Sequence, residues 1–230
     1  IRIERNFGSD YSIDEIHTAL KTCYSNLKAD IKDKYNTSLK KIGAMGISGM
    51  MHGFLAFDKD GNLLTPFRTW RNTTTGEAAS ELSKLFKFNV PQRWSIAHLY
   101  QAILNDEPYV KDIAHITTLA GYIHYLLTGK RELGVGEASG MFPITDNAYD
   151  KNMLTKFADL IKDRNFDWKI EEILPEVKVA GEKGTVLSAD GAKFIDERGI
   201  LLEGIPMCAP EGDAGTGMVA TNAVLERTGN

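Results

Sequence analysis

The chain has 230 residues, 43% of them apolar and 25% charged, the mix of a globular protein that buries its own core without disulfides or metals. A formal net charge of -4 gives no general attraction for nucleic acid or an anionic membrane, which leaves a small molecule as the expected partner. Two cysteines, Cys23 and Cys208, lie far apart without CxxC or histidine-rich spacing, so neither a zinc site nor a redox pair is indicated.

The first ten residues lack the basic and apolar regions of a signal peptide, and no window approaches the roughly 18 apolar residues of a membrane span. The expectation is a cytoplasmic protein with no membrane or nucleic-acid partner. The chain opens at Ile1 and stops at Asn230 where a turn would lead into another strand, which reads as a fragment truncated at both ends.

In chain order, Ser12-Ile13-Asp14-Glu15 has the form of a capping box. Ile13, Ile16, Leu20, Cys23, Leu27 and Ile31 then recur at helical spacing and predict one long amphipathic helix ending near Tyr35-Asn36. Residues 42–48, apolar and small, predict a buried strand. Residues 54–57 and Leu63-Leu64 flank Asp58-Lys59-Asp60-Gly61, whose Asp-Gly pair signals a hairpin. Helices are predicted over 76–86, 96–105, 110–114, 119–127 (stopped by Gly129), 151–163 and 170–174. A strand over 177–179, a helix over 188–198, a strand over 205–209 and a helix over 216–227 complete the chain. Strands in front, helices in the middle and a strand–loop–helix at the end predict one α/β domain, residues 1–230, with a helical insertion.

Three segments could carry chemistry. In Ala209-Pro210-Glu211-Gly212-Asp213-Ala214-Gly215-Thr216-Gly217, glycines let the backbone approach a ligand while one carboxylate stands at the head of a helix. Asp213 suits a general base that takes a proton from an attacking hydroxyl, and it equally suits a simple helix cap. Gly46-Ile47-Ser48-Gly49-Met50-Met51-His52-Gly53 lies at the end of a predicted strand, where α/β sheets place ligands. Its serine invites comparison with a hydrolase's GxSxG elbow, but Met50 occupies the fifth position. His52, beside two glycines at a strand end, suits a hydrogen bond to a sugar hydroxyl, and it equally suits a packed or surface histidine. In Arg68-Thr69-Trp70-Arg71-Asn72-Thr73-Thr74-Thr75, an indole face next to polar groups suits a sugar platform, or equally a helix start with one anchoring aromatic, and Gln92-Arg93-Trp94-Ser95 repeats the theme. Gly136-Glu137-Ala138-Ser139-Gly140-Met141 suggests close packing only.

Taken in this order, the segments resemble the FGGY carbohydrate kinases, and within them the xylulokinase branch. Residues 46–53 are similar to that branch's Gly-Ile-Ser-Gly-Gln-Met-His-Gly, with Met50 for Gln. The family's Trp-x-Asp-x-Arg becomes Trp70-Arg71-Asn72-Thr73-Thr74, Leu127-Thr128-Gly129 and Ala138-Ser139-Gly140 match a later stretch, and Gly212-Asp213-Ala214 stands at the catalytic-base motif. The resemblance implies a ribonuclease H-like, actin-like ATPase domain, lacking the family's first strands and its C-terminal ATP-binding domain. It implies ATP-dependent phosphorylation of a ketose, xylulose or a related ketopentose, with ATP and Mg2+ as cofactors and no metal held by this chain itself. Asp213 would be the base; Met51, His52, Trp70, Asn72, Trp94 and Gly212 would line the sugar side. ATP-contacting residues would lie outside the fragment, which alone would be inactive, and a homodimer is compatible with the pattern. The second signature departs at Ile96 and Leu99, leaving the sugar open. Two other classes compete with the kinase: a sugar-binding or regulatory module without catalysis, and a hydrolase using Ser48.

Overall fold

The computed structural model describes residues 10–221 apart from 41, 183 and 199. β1 (Asp10–Tyr11) leads directly into α1 (Ile13–Tyr35). Ser12 is the N-cap in extended backbone, but its side chain makes no cap bond, so the serine half of the predicted capping box is not formed. Acidic Asp14 and Glu15 in the first turn and Lys32 and Lys34 in the last suit the helix dipole, and Asn36 ends the helix in the left-handed conformation.

The strand predicted over 42–48 is realised as a bridge between Met45 and Met207, followed by β2 (Ser48–Gly49). β3 (Leu55–Phe57) turns back through the expected hairpin, where Phe57 bridges Leu63 and the Asp58 carboxylate accepts the N–H groups of Asp60 and Asn62 at 2.9 and 2.8 Å. Gly61 supplies the left-handed residue this turn needs, at φ 82°. Next come β4 (Phe67–Arg68), α2 (Gly76–Phe86) and α3 (Ser95–Leu104). The helix predicted over 110–114 is a 3-10 turn, Pro108–Asp112, which proline's fixed φ helps to start.

β5 (His115–Thr117) precedes α4 (Leu119–Thr128), which is capped by the Thr118 hydroxyl and stopped by Gly129 at φ 71°. β6 (Glu132–Gly134) runs straight into α5 (Val135–Ala138). The hairpin of β7 (Ile144–Thr145) and β8 (Ala148–Tyr149) leads to α6 (Lys151–Ile161), α7 (Ile170–Ile173) and β9 (Glu176–Lys178). α8 (Ala189–Ile195), β10 (Glu211–Gly212) and α9 (Asp213–Ala220) close the described chain. The strand expected over 205–209 is reduced to bridges at Pro206 and Met207. α9 starts at Asp213 rather than at Thr216, and residues 222–227 of its predicted length lie outside the described residues.

Apart from the β7–β8 hairpin, the strands form two strips. In one, β5 pairs antiparallel with β3, and a Phe54–Arg68 bridge carries the ladder on to β4 and β1. In the other, β2 and β10 pair in parallel, as do β6 and β9, and the Gly134 N–H donates to the Pro210 carbonyl at 2.9 Å to join the pairs. The main core gathers Phe54, Leu82, Ile96, Leu99, Leu133, Phe142 and Phe157 from α2, α3, α6 and the strands between them. A second cluster, Tyr24, Leu127, Leu187, Ile195, Leu201 and Met207, binds α1, α4 and α8 together. Cys23 and Cys208 are both free and exposed. Among the described residues, no helix is long and apolar enough to cross a membrane.

Candidate functional site

β2 and β10 run in the same direction with Ser48 opposite Glu211 and Gly49 opposite Gly212. The loop after β2 and the first turn of α9 therefore leave the sheet at one edge, the carboxyl ends of two parallel strands, where open α/β sheets hold ligands. A hydrogen bond of 2.6 Å between the Ser48 and Thr216 hydroxyls ties the two together. Among the described residues Ser48 has a threonine hydroxyl as its partner and no histidine on it, so the base that a hydrolase nucleophile requires is not seen there.

Asp213 opens α9 and is exposed, and its Oδ1 is turned onto the loop after β2, where it accepts the Met51 N–H at 3.1 Å. Gly212 beneath it is buried, and it has to be glycine: a Cβ there would lie 2.0 Å from Met51 Cγ and 2.7 Å from Glu137 Oε2. His52 sits in the left-handed region at φ 68°, and its Nδ1–H donates toward the Gly140 carbonyl at 3.4 Å. Burial lowers the His52 pKa; the Gly140 contact opposes that, the Arg93 guanidinium adds to it, and the Asp213 carboxylate opposes it. The ring is thereby held neutral near pH 7, with Nδ1 as donor and Nε2 left as an acceptor.

The remaining expected residues flank this centre. Gly53 packs against the Arg68 carbonyl and Thr69, and its N–H donates to the Arg93 carbonyl at 3.1 Å, so the Trp70 and Trp94 segments lie on either side of His52-Gly53. Trp70 is 45% exposed, with the Arg71 guanidinium 5.1 Å from its ring centroid. Trp94 is half-buried on the main core and tilts against Phe88 at 6.0 Å. Asn72 is buried, and its Oδ1 accepts from the Thr74 N–H at 3.1 Å and the Thr74 hydroxyl at 2.7 Å, a local turn that shapes the Trp70 loop. Met51, Gly212 and Asp213 are brought together by direct contacts, and His52, next to Met51 in the chain, lies within reach of the Asp213 charge. The ring contacts of Trp70 and Trp94 are with Arg71 and Phe88, beside that group rather than within it.

Two further acids join the site that the sequence alone does not single out. Glu211 lies in a cradle of glycines, where a Cβ at Gly136 would fall 2.6 Å from its Oε2, and that oxygen accepts the Glu137 N–H at 3.0 Å. Glu137 is fully buried, and its pKa is pushed up to about 8, chiefly by burial, with the Thr118 hydroxyl opposing and the Glu211 and Asp213 charges adding to the rise. A glutamate among small residues, in a stretch otherwise suited to close packing, is the one available signal.

Residues 3–220 match the profile described as the FGGY family of carbohydrate kinases, N-terminal domain. A rhamnulokinase from Ligilactobacillus salivarius (strain UCC118) is 27% identical over 207 residues, which cover 81% of this chain and 39% of that protein. The structure is similar to a ligand-bound xylulose kinase from Lactobacillus acidophilus, with TM-score 0.74 and 15% identity over 97% of this chain and 44% of the other. A gluconate kinase from the same organism gives the same TM-score, 0.74, at 15% identity, again covering 97% and 44%. This chain thus spans about two fifths of the length of these proteins, and it shares the actin-like ATPase fold of the sugar kinases. Its fold and its matched span place the chain in the FGGY family of carbohydrate kinases.

Proposed function

We propose that the protein carrying this chain transfers a phosphoryl group from MgATP to a hydroxyl of a ketose, xylulose or a related ketopentose, with Asp213 as the general base. The observation that supports this most is the Asp213 carboxylate at the carboxyl edge of β2 and β10, fixed by the Met51 N–H beside a neutral His52. Phosphoryl transfer asks a protein for positioning, charge stabilisation and one proton acceptor. The Met51 N–H holds Oδ1, so Oδ2 is the oxygen that would take the proton of the attacking hydroxyl. Nε2 of His52 would accept from a second hydroxyl and set which carbon's oxygen faces Asp213. The exposed Trp70 ring offers an apolar face to the sugar's C–H side.

Bound MgATP would supply the transferable phosphoryl group. The residues present fit its approach from the α9 side: a Cβ at Gly215 would meet nothing within 4 Å, so the first turn of that helix has room for a phosphate next to Asp213. The three relatives are named for rhamnulose, xylulose and gluconate substrates, so family membership leaves the acceptor to be measured.

An ADP-release assay of the full-length protein over ketopentoses, ketohexoses, aldonates and polyols identifies the acceptor. With that acceptor, Asp213→Asn is expected to lower kcat by about 10²-fold or more, the range for a general base, while sugar still binds. Turnover close to that of the wild type in Asp213→Asn would remove this residue from the chemistry.

A further inference from the structure

Beneath the Gly212–Asp213 step lies a side chain that the proposed chemistry does not use. Glu137 has 0% exposure, and its carboxyl oxygens make no hydrogen bond of good geometry among the described residues, the Thr118 hydroxyl facing them as a weak donor. A buried acid so poorly partnered is costly, so its retention needs a reason. Its Oε2 points at the Gly212 backbone, 2.7 Å from where a Cβ would stand, on the side where Met51 Cγ and Sδ also press. Its own N–H holds Glu211, whose backbone precedes that same step. Three residues farther on, Gly140 meets His52.

We propose that Glu137 is a positioning residue for the base, its buried carboxyl forming the wedge on which the Gly212–Asp213 step and the Met51 side chain rest. The role builds on the kinase reading, since it concerns where Asp213 is held. It also explains why α5 (Val135–Ala138) lies against β10: one short turn supports the Asp213 loop through Glu137 and the His52 loop through Gly140. The groups facing Glu137 are Glu211 and Asp213 from β10 and α9, the Tyr149 phenol from β8 and the Thr118 hydroxyl ahead of α4, none of them a cation. His52, next along at Gly140, is itself held neutral. The wedge therefore works uncharged, and ionisation would drive it out from under Gly212.

The test uses the full-length protein with methyl-13C methionine, the Met51 signal being assigned by its loss in Met51→Leu. In the wild type this signal is expected to titrate with a midpoint near pH 8, following Glu137, and in Glu137→Gln to stay flat through the same range. A Met51 signal that does not titrate, or that titrates identically in Glu137→Gln, overturns the wedge. With the acceptor from the ADP-release assay, Glu137→Ala is expected to lose about tenfold or more in kcat. Glu137→Gln, an uncharged wedge of the same shape, is expected to recover most of that loss and to lack the alkaline fall in kcat near pH 8. Equal losses in both variants with superimposable pH profiles would reduce Glu137 to packing alone. Failure of every sugar in the assay would sink the kinase reading and leave the Met51 titration to decide the wedge.

Discussion

A carboxyl that stays protonated in the fold makes stability depend on pH in a direction opposite to that of most acids. The Glu137 pKa stands near 8 in the folded protein, through burial first, against an ordinary 4.5. Between those values the folded state binds the extra proton, so stability falls as pH rises from about 4.5 to about 8 and levels off beyond. The steepest slope is about 1.4 kcal/mol per pH unit. A glutamine amide in its place cannot ionise and so escapes this loss. Thermal melts of the full-length protein at pH 5, 6.5 and 8 are expected to show Glu137→Gln gaining on the wild type at each step. A constant gap across the three would mean that the acid is already ionised at pH 5 or reaches water. The measurement needs no substrate, and it isolates the charge of the wedge from its shape.

Among the elements, α8 and α4 show how much precision the second core demands. The backbone of α8 crosses α4 at Gly191, where a Cβ would meet the Leu127 carbonyl oxygen at 2.1 Å and its carbonyl carbon at 2.6 Å. The Ser188 N–H and hydroxyl both donate to that same carbonyl, at 2.9 and 3.0 Å, which anchors the start of α8. Backbone cannot move aside as a flexible side chain can, so Gly191→Ala is expected to cost about 2–3 kcal/mol in urea unfolding. Gly43→Ala, with nothing within 4 Å of its Cβ, is the matched control and should cost little. Equal stability of the two variants would show that α8 slides freely on α4. Elements with a clean local signal are legible in the sequence: α2 carries its apolar stripe, and Asp58 to Gly61 carry the chemistry of their turn. β5 escapes a sequence reading because its three residues are all buried and show no alternation. β6 escapes it because it begins with Glu132, a charge that its lysine neighbour on β9, Lys178, makes tolerable at 3.9 Å. The site divides the same way. Asp213, Met51 and His52 announce themselves by glycine-flanked chemistry, whereas Glu137 matters only because folding sets it under Gly212, a relation of residues 75 positions apart that no local pattern encodes.

Over the whole molecule, burial is distributed unevenly enough to set an order of opening. All but one of the ten residues of α3 are buried, and its start is pinned by the Ser95 hydroxyl on the Gly53 carbonyl at 2.6 Å. α1 is 23 residues long and buries Tyr24 alone, with Leu27 at 47% and Tyr35 at 71% exposed. Its ties to the second core run through that ring, through partly buried Leu20, through His17 edge-on to Phe194 at 5.0 Å, and through Lys21 and Lys28, whose ammonium groups reach the Glu197 and Asp196 carboxylates at 2.8 Å. Regions with few buried apolar contacts open at lower free energy than the global transition. The expectation for native-state hydrogen exchange of the full-length protein is that α1 amides exchange through a sub-global opening, while α3 amides exchange only with global unfolding. Adding Lys28→Ala should widen the gap, because it releases a nearly buried carboxylate from its partner on the α8 side. The edge that carries His52 belongs with α3 rather than with α1, since Gly53 and the Trp94 segment hang on that helix's first turn. Protection of α1 equal to that of α3 would contradict this order, and would mean that another part of the protein covers the exposed face of α1.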